Sequence, residues 1–209
     1  MKKNMFNFVV SLLVGSLGVI TSTAYAAETT INDGSNTGDV TINGTLGADN
    51  TDPDAEIPEG SDSWINVTLD TATIFYNTSS STTIESPKYT IKNNSGRPVT
   101  VTPTAITQTN SVDISSIKDL TVNFKRDDSS QNSSAKLVSE GSVAVTQAST
   151  LTLANKVGQL LSTDTAATDT STVANASATF SYGGSVSSAL STAITPTFTM
   201  TLTFAPVSW

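Results

Sequence analysis

The sequence has 209 residues, of which 37% are hydrophobic and 13% are charged, and its net charge is −8 at pH 7. This length allows one large domain or two small ones, with a lean apolar core. Serine and threonine together number 66, so hydroxyl groups rather than ion pairs keep the surface polar. The absence of His and Cys excludes disulfides, thiol nucleophiles, imidazole-based triads and the usual zinc and haem sites.

The N-terminus has the three-part pattern of a secretory signal peptide. Two lysines precede an apolar run from Met5 to Ile20, and Ala24 and Ala26 supply small residues for cleavage. We therefore expect residues 1–26 to be removed and no integral membrane span to remain. The alternative is an N-terminal membrane anchor, which needs about 20 consecutive apolar residues. Serine and glycine interrupt the run here.

Residues 27–62 are predicted to form a flexible acidic leader. They include nine acidic residues and no Lys or Arg, together with many Gly, Asn and Thr residues. Low hydrophobicity with charge of a single sign is typical of a segment that does not fold alone. One short stretch, Val40 to Leu46, alternates apolar and polar residues and is expected to form a strand that docks late.

The leader's carboxylates raise the question of a calcium site, because hard cations prefer oxygen ligands. An EF-hand loop starting at Asp52 would place Ile57 where glycine is needed and Ser63 where a bidentate glutamate is needed. We therefore interpret the cluster as a solvated linker. No metal and no other cofactor is predicted for this chain.

From residue 63 onward the apolar residues recur with a period of two. Many short alternating runs separated by polar turns favour an all-β domain over residues 63–209, an antiparallel β-sandwich of immunoglobulin-like or similar type. The runs are Ile65 to Leu69, Thr73 to Tyr76, Lys88 to Lys92, Pro98 to Thr102, Leu120 to Phe124, Val143 to Val145, Leu151 to Leu153, Ala178 to Tyr182 and Phe198 to Phe204. Polar loops are expected from Asp127 to Ser134 and from Ser162 to Thr172.

The residues offer no candidate for catalysis. A serine nucleophile would need a lysine as its base, and the lysines lie in polar contexts that favour a solvated charge. We therefore predict a protein that is not an enzyme. The acidic balance also makes nucleic acid and anionic membrane surfaces poor partners, since both attract basic patches.

Three segments carry a family resemblance: Asp70 to Tyr76, Ser86 to Val99 and Phe198 to Val207. Together they resemble the small WxL-type surface proteins of low-GC Gram-positive bacteria, and the likeness in layout covers residues 63–209. The resemblance implies an all-β domain that follows a signal peptide and a leader and binds peptidoglycan without a covalent link. The family is named for two Trp-x-Leu signatures. Here Trp64 is followed by Ile65-Asn66, and Phe204 stands where the second Trp is expected.

We therefore expect a secreted, extracellular, wall-associated protein held by peptidoglycan or by a companion surface protein. The sequence has neither a Cys for lipidation nor an LPxTG-type sorting motif, so covalent attachment by these routes is not expected. Four aromatic residues are the candidates for wall or partner contact, namely Trp64, Tyr182, Phe204 and Trp209. For Trp64 and Phe204 the alternative is ordinary core packing. The alternative function is a secreted adhesin-like module that binds host protein or glycan.

The mature N-terminus is predicted to be Ala27, because Ala24 and Ala26 fit the small-residue preference of signal peptidases. Mass spectrometry of the secreted species measures this directly. A species that retains residues 1–26 would contradict the prediction and favour a membrane anchor.

Overall fold

Residues 49–209 are described by the computed structural model. The predicted signal peptide, the first part of the leader and the Val40 to Leu46 stretch lie outside the described residues. Residues 49–209 form an all-β antiparallel sandwich, so the fold class predicted from the alternating pattern is confirmed. Among these residues no helix has the length and apolar character needed to cross a bilayer.

Residues 49–209 contain ten strands and three short 3-10 turns. The strands are β1 Val67–Leu69, β2 Thr83–Ile84, β3 Tyr89–Asn93, β4 Val99–Gln108, β5 Ile117–Arg126, β6 Asn132–Ser139, β7 Ser142–Thr146, β8 Leu151–Leu153, β9 Ser177–Val186 and β10 Phe198–Pro206. The 3-10 turns are Asp62–Trp64, Thr170–Thr172 and Ala174–Ala176.

The strands form two sheets of unequal size. The larger sheet has the order β1-β3-β9-β5-β6-β7, with β2 paired to β9, and the smaller sheet has the order β10-β4-β8. All of these pairings are antiparallel. A sheet of three strands is narrower than the seven-stranded sheet that it faces. This difference in width leaves an open cleft beside β10, at the edge of the smaller sheet.

The core lies between the sheets and is built from alternate residues. On β5, Leu120, Val122 and Phe124 are buried, and Phe180 of β9 contacts Phe124 with ring centroids 5.6 Å apart. Burying such side chains contributes roughly 1.5–3 kcal/mol each. The intervening residues face outward and are mostly threonine, serine, asparagine and lysine, which matches the period-two pattern of the sequence.

Three elements differ from the sequence expectation. Strand β2, Thr83–Ile84, has no counterpart among the predicted runs. The Thr73 to Tyr76 run is not a strand, and only Tyr76 forms a bridge, to Glu85. Strand β6 was predicted as loop as far as Ser134, although it pairs with β5 over Asn132–Ser139. Its inward positions include Ser133 and Ala135, whose small side chains do not produce a visible apolar alternation.

Residues 49–62, the last part of the expected flexible leader, contact the β domain. The Gly96 amide donates to the Asn50 carbonyl at 2.7 Å, and Lys156 Nζ donates to Thr51 Oγ1 at 2.9 Å. These hydrogen bonds order a segment whose own side chains are mostly polar. The remaining part of the predicted leader, residues 27–48, lies outside the described residues.

Gly184 on β9 is predicted to be required for the pairing of β9 with β5. Its φ is +145°, and an added Cβ would lie 2.0 Å from the Asp119 carbonyl oxygen. Gly184→Ala should lower the free energy of unfolding by about 2–4 kcal/mol. The control is Gly183→Ala, where the nearest atom would be Asn123 Nδ2 at 3.5 Å. That change should cost less than about 1 kcal/mol in urea unfolding. Equal losses in the two variants would contradict this interpretation.

Candidate functional site

The four predicted contact residues lie in two separate places. Trp64 and Trp209 stack on the Arg97 guanidinium, whereas Tyr182 and Phe204 line an apolar cleft between the sheets. Trp64 is fully buried, and Trp209, Tyr182 and Phe204 are each half-buried. The candidate site therefore consists of two separate structures.

Arg97 lies between two tryptophan rings. Its Cζ is 4.3 Å from the ring centroid of Trp64 and 4.5 Å from that of Trp209. Cations within about 6 Å of an indole centroid are attracted to the face of the ring. Trp64 is fixed in turn by a 3.2 Å hydrogen bond from its Nε1 to the Pro58 carbonyl. We call the assembly of Arg97, Trp64 and Trp209 the Arg97 stack.

The guanidinium of Arg97 also has polar partners along its edge. Nε donates to Glu59 Oε1 at 3.0 Å, Nη2 donates to the same oxygen at 2.5 Å, and Nη1 donates to the Pro53 carbonyl at 2.6 Å. The backbone amide of Trp209 donates to Glu59 Oε2 at 3.2 Å. Glu59 thus links the N-terminal segment, the sandwich and the C-terminal residue.

The turn between β3 and β4 positions Arg97. Asn93 is fully buried, and its Nδ2 donates to the carbonyls of Arg97 and Ala154 at 2.9 and 2.8 Å. Its Oδ1 accepts from the Ser95 amide at 3.0 Å. Gly96 lies so close to the N-terminal segment that an added Cβ would be 2.6 Å from the Asp52 carbonyl oxygen. The turn is therefore held by hydrogen bonds on one side and by backbone contact on the other.

Arg97 stabilises the charged form of Glu59. Hydrogen bonding from the Arg97 guanidinium lowers the pKa of Glu59 below its ordinary value, with a smaller contribution from the Trp209 amide. Partial burial acts in the opposite direction but does not cancel these effects. The pair of Arg126 and Asp128 behaves in the same way, and hydrogen bonding from Arg126 lowers the pKa of Asp128 to about 2.

The second structure is an open apolar cleft of about 970 Å³. One side is β10, whose inward residues Phe198 and Phe204 line it, and the floor includes Tyr182 of β9. The opposite side is the segment from Leu69 to Asn77, where Ile74 is 62% exposed. A cavity of this size lies within the range of ligand sites in proteins. We call it the β10 cleft.

The side of the β10 cleft opposite β10 is fixed by two tyrosines. The Tyr89 hydroxyl accepts from the Ile74 amide at 2.7 Å and donates to the Ile74 carbonyl at 3.1 Å. The Tyr182 hydroxyl pairs with Thr73 Oγ1 at 3.0 Å, and burial raises the pKa of this hydroxyl. Phe75 contacts Tyr182 and Phe198 with centroid separations of 6.3 and 6.1 Å. The cleft is therefore preformed.

Strand β10 borders the cleft with a free edge. Among the described strands β10 pairs only with β4, so its other edge has no strand partner. The nine residues of β10 span about 30 Å at the rise of a strand. They include no charged residue, such as a lysine, that would discourage a further strand from pairing.

The acidic residues of the N-terminal segment hydrogen-bond to their own turns. Asp49 Oδ1 accepts from the Thr51 amide and Asp52 Oδ1 from the Asp54 amide, each at 2.9 Å. Over residues 49–209, no group of three metal-ligating side chains is close enough to hold an ion. The sequence prediction that no metal binds here stays a prediction.

Comparisons with models of protein families, with curated proteins and with solved structures found no match. The WxL-type resemblance accordingly remains an expectation from the sequence.

Sequence reasoning missed Arg97, Glu59 and the side of the cleft formed by Ile74 and Phe75. One signal was available. The chain has only two arginines, Arg97 and Arg126, and both are buried. A rare arginine in a hydroxyl-rich sequence therefore marks an internal ion pair here. The contact between Glu59 and Arg97 joins residues that are 38 positions apart, and the alternating pattern does not predict it.

Glu59→Gln is predicted to destabilise the protein in a manner that depends on pH. Because the folded-state pKa of Glu59 is lowered from 4.5, its stabilisation is present above pH 4.5 and is lost as the pH falls through the folded value. At pH 7 the variant should be less stable by about 1 kcal/mol, a figure reduced for solvent screening.

Urea unfolding of both proteins from pH 7 to pH 3 measures this difference. Glu56→Gln is the control, because Glu56 is exposed and has no ion pair within residues 49–209. It should shift stability by less than about 0.5 kcal/mol. If the loss of stability in Glu59→Gln keeps its full size at low pH, the charge of Glu59 is not the cause of that loss.

Proposed function

We propose that this chain is an exported, non-enzymatic cell-surface protein held without a covalent link at the Gram-positive wall, by peptidoglycan or by a companion surface protein. The observation that carries the proposal is the β10 cleft, which is open, preformed and apolar. The signal-peptide pattern and the WxL-type resemblance supply the location. The Arg97 stack is assigned a structural role, because both of its tryptophan rings contact Arg97 inside the domain.

The chemistry of the cleft favours the companion protein over the glycan. Phe75, Phe198 and Phe204 offer apolar surface, and the hydroxyl of Tyr182 is already hydrogen-bonded to Thr73. Polar residues such as Asn77 and Ser79 also line the cleft, but apolar residues form most of its lining. Apolar side chains of a protein would bury their surface against these residues, which a polysaccharide would not do.

The free edge of β10 supports the same choice. An extended segment can add to such an edge through backbone hydrogen bonds and place alternate side chains in the adjoining cleft. Because β10 carries no charge, electrostatics does not exclude a partner of either sign. A strand from a companion protein fits both the edge and the cleft.

Ile74→Asp is predicted to abolish most of the wall association. Ile74 is 62% exposed at the cleft, so the change adds a charge with little effect on folding. Leu161→Asp is the matched control, since Leu161 is 60% exposed and lies outside the cleft. Sedimentation with wall fragments should show binding weakened about tenfold or more for Ile74→Asp and unchanged for Leu161→Asp.

Two wall preparations separate the partners. Retention by walls that keep their proteins, but not by purified peptidoglycan, would identify a companion protein. Retention by purified peptidoglycan would identify the glycan strand or its peptides. Wild-type protein that stays in the supernatant with both preparations, at low and moderate salt, would contradict wall association and favour the adhesin-like alternative.

A further inference from the structure

The outer face of the larger sheet has a polar hollow of about 450 Å³, on the side away from the core. Strand register arranges its side chains in two rows across three strands. Thr179, Lys125 and Asn132 form one row of β9, β5 and β6. The second row is Ser181, Asn123 and Ser134. The lining is completed by Lys88, Phe124, Ser133 and Ser149. We call this feature the lysine hollow.

Most polar groups of the lysine hollow are not used by the protein itself. The exceptions are the hydroxyls of Ser133 and Ser149, which hydrogen-bond to each other and to the neighbouring backbone. Within residues 49–209, the side chains of Lys88, Lys125, Asn123 and Asn132 make no hydrogen bond or ion pair with protein groups, and neither do the hydroxyls of Thr179 and Ser181. Elsewhere on the same sheet, Lys136 is neutralised by Asp119 at 2.6 Å. The hollow therefore presents two uncompensated ammonium groups on a protein whose net charge is −8.

We propose that the lysine hollow binds an anionic glycan, a polyhydroxylated chain that carries phosphate, carboxylate or sulfate groups. The two ammonium groups would contact the anionic groups, and ion pairing makes such hydrogen bonds stronger than neutral ones. The amides of Asn123 and Asn132 and the hydroxyls of Thr179 and Ser181 both donate and accept, as sugar hydroxyls require. The volume of the hollow is suited to a small portion of such a chain.

The lining distinguishes this ligand from two others. A neutral sugar is commonly held on an aromatic face. The aromatic residue that lines the hollow, Phe124, is 2% exposed and belongs to the core cluster. Single-stranded nucleic acid also requires stacking platforms and a longer basic track. The hollow combines lysine charges with hydroxyl and amide groups and offers no exposed aromatic ring for stacking. This combination favours an anionic glycan. The proposal is independent of the β10 cleft, which lies inside the sandwich.

The test uses the mature chain and three soluble probes: poly(glycerol phosphate), heparin and neutral dextran. Fluorescence anisotropy at low and moderate salt measures their binding. Wild type should bind at least one polyanion, with affinity that falls as salt rises, and should not bind dextran. The double variant Lys88→Gln/Lys125→Gln should weaken binding about tenfold. Lys118→Gln, at an exposed lysine outside the hollow, should change it less than about twofold.

The probes also separate the two sources of such glycans. Tighter binding of poly(glycerol phosphate) supports a polymer of the bacterial wall, and tighter binding of heparin supports a glycan of another cell. The proposal is overturned if neither polyanion binds at low salt, or if Lys118→Gln weakens binding as much as the double variant does. It is also overturned if a thymidine oligonucleotide binds more tightly than both glycans. Thermal unfolding by circular dichroism should be the same for all variants.

Discussion

The buried guanidinium of Arg97 is the constraint on which the N-terminal and C-terminal parts of the described domain depend. A charge removed from water is costly unless it is fully paired. Here the carboxylate of Glu59, the carbonyl of Pro53 and the faces of Trp64 and Trp209 surround it. Glu59, Pro53 and Trp64 come from the segment before β1 and Trp209 comes from the C-terminal end, whereas Arg97 itself lies in the β3–β4 turn. Satisfying one arginine therefore fixes the segment before β1, the β3–β4 turn and the last residue together.

The closed Arg97 end contrasts with the open β10 cleft. At the closed end, polar groups and aromatic faces fill the space beside the sheets. At the cleft, the three-stranded sheet ends at β10 while the larger sheet continues through β9 and β3. Tyr182 and Phe198 thus remain reachable although they belong to the same apolar cluster as the core. The sandwich is therefore closed at the Arg97 stack and open at the β10 cleft.

The hydroxyl-rich composition explains why most of the fold could be predicted and much of the site could not. Threonine alternating with apolar residues marks β10 from Phe198 to Phe204 without ambiguity. The same rule fails for β6, whose inward Ser133 and Ala135 are too small or too polar to register as core. Trp64, Tyr182, Phe204 and Trp209 were predicted as one set of contacts, yet they divide between the stack and the cleft. The lysine hollow depends on strand register between β9, β5 and β6, which a local pattern does not contain.

Hydrogen exchange of the wild type and of Arg97→Lys tests the central claim about Arg97 most directly. Lysine keeps the charge but loses the planar fork that contacts Glu59 and stacks on two rings. In the wild type, the amides of Gly96, Trp64 and Ile65 should be protected to an extent close to that of β5 and β9. In Arg97→Lys these three amides should lose protection while β5 and β9 keep theirs. Rapid exchange of all three amides in the wild type, or unchanged protection in the variant, would contradict the role assigned to Arg97.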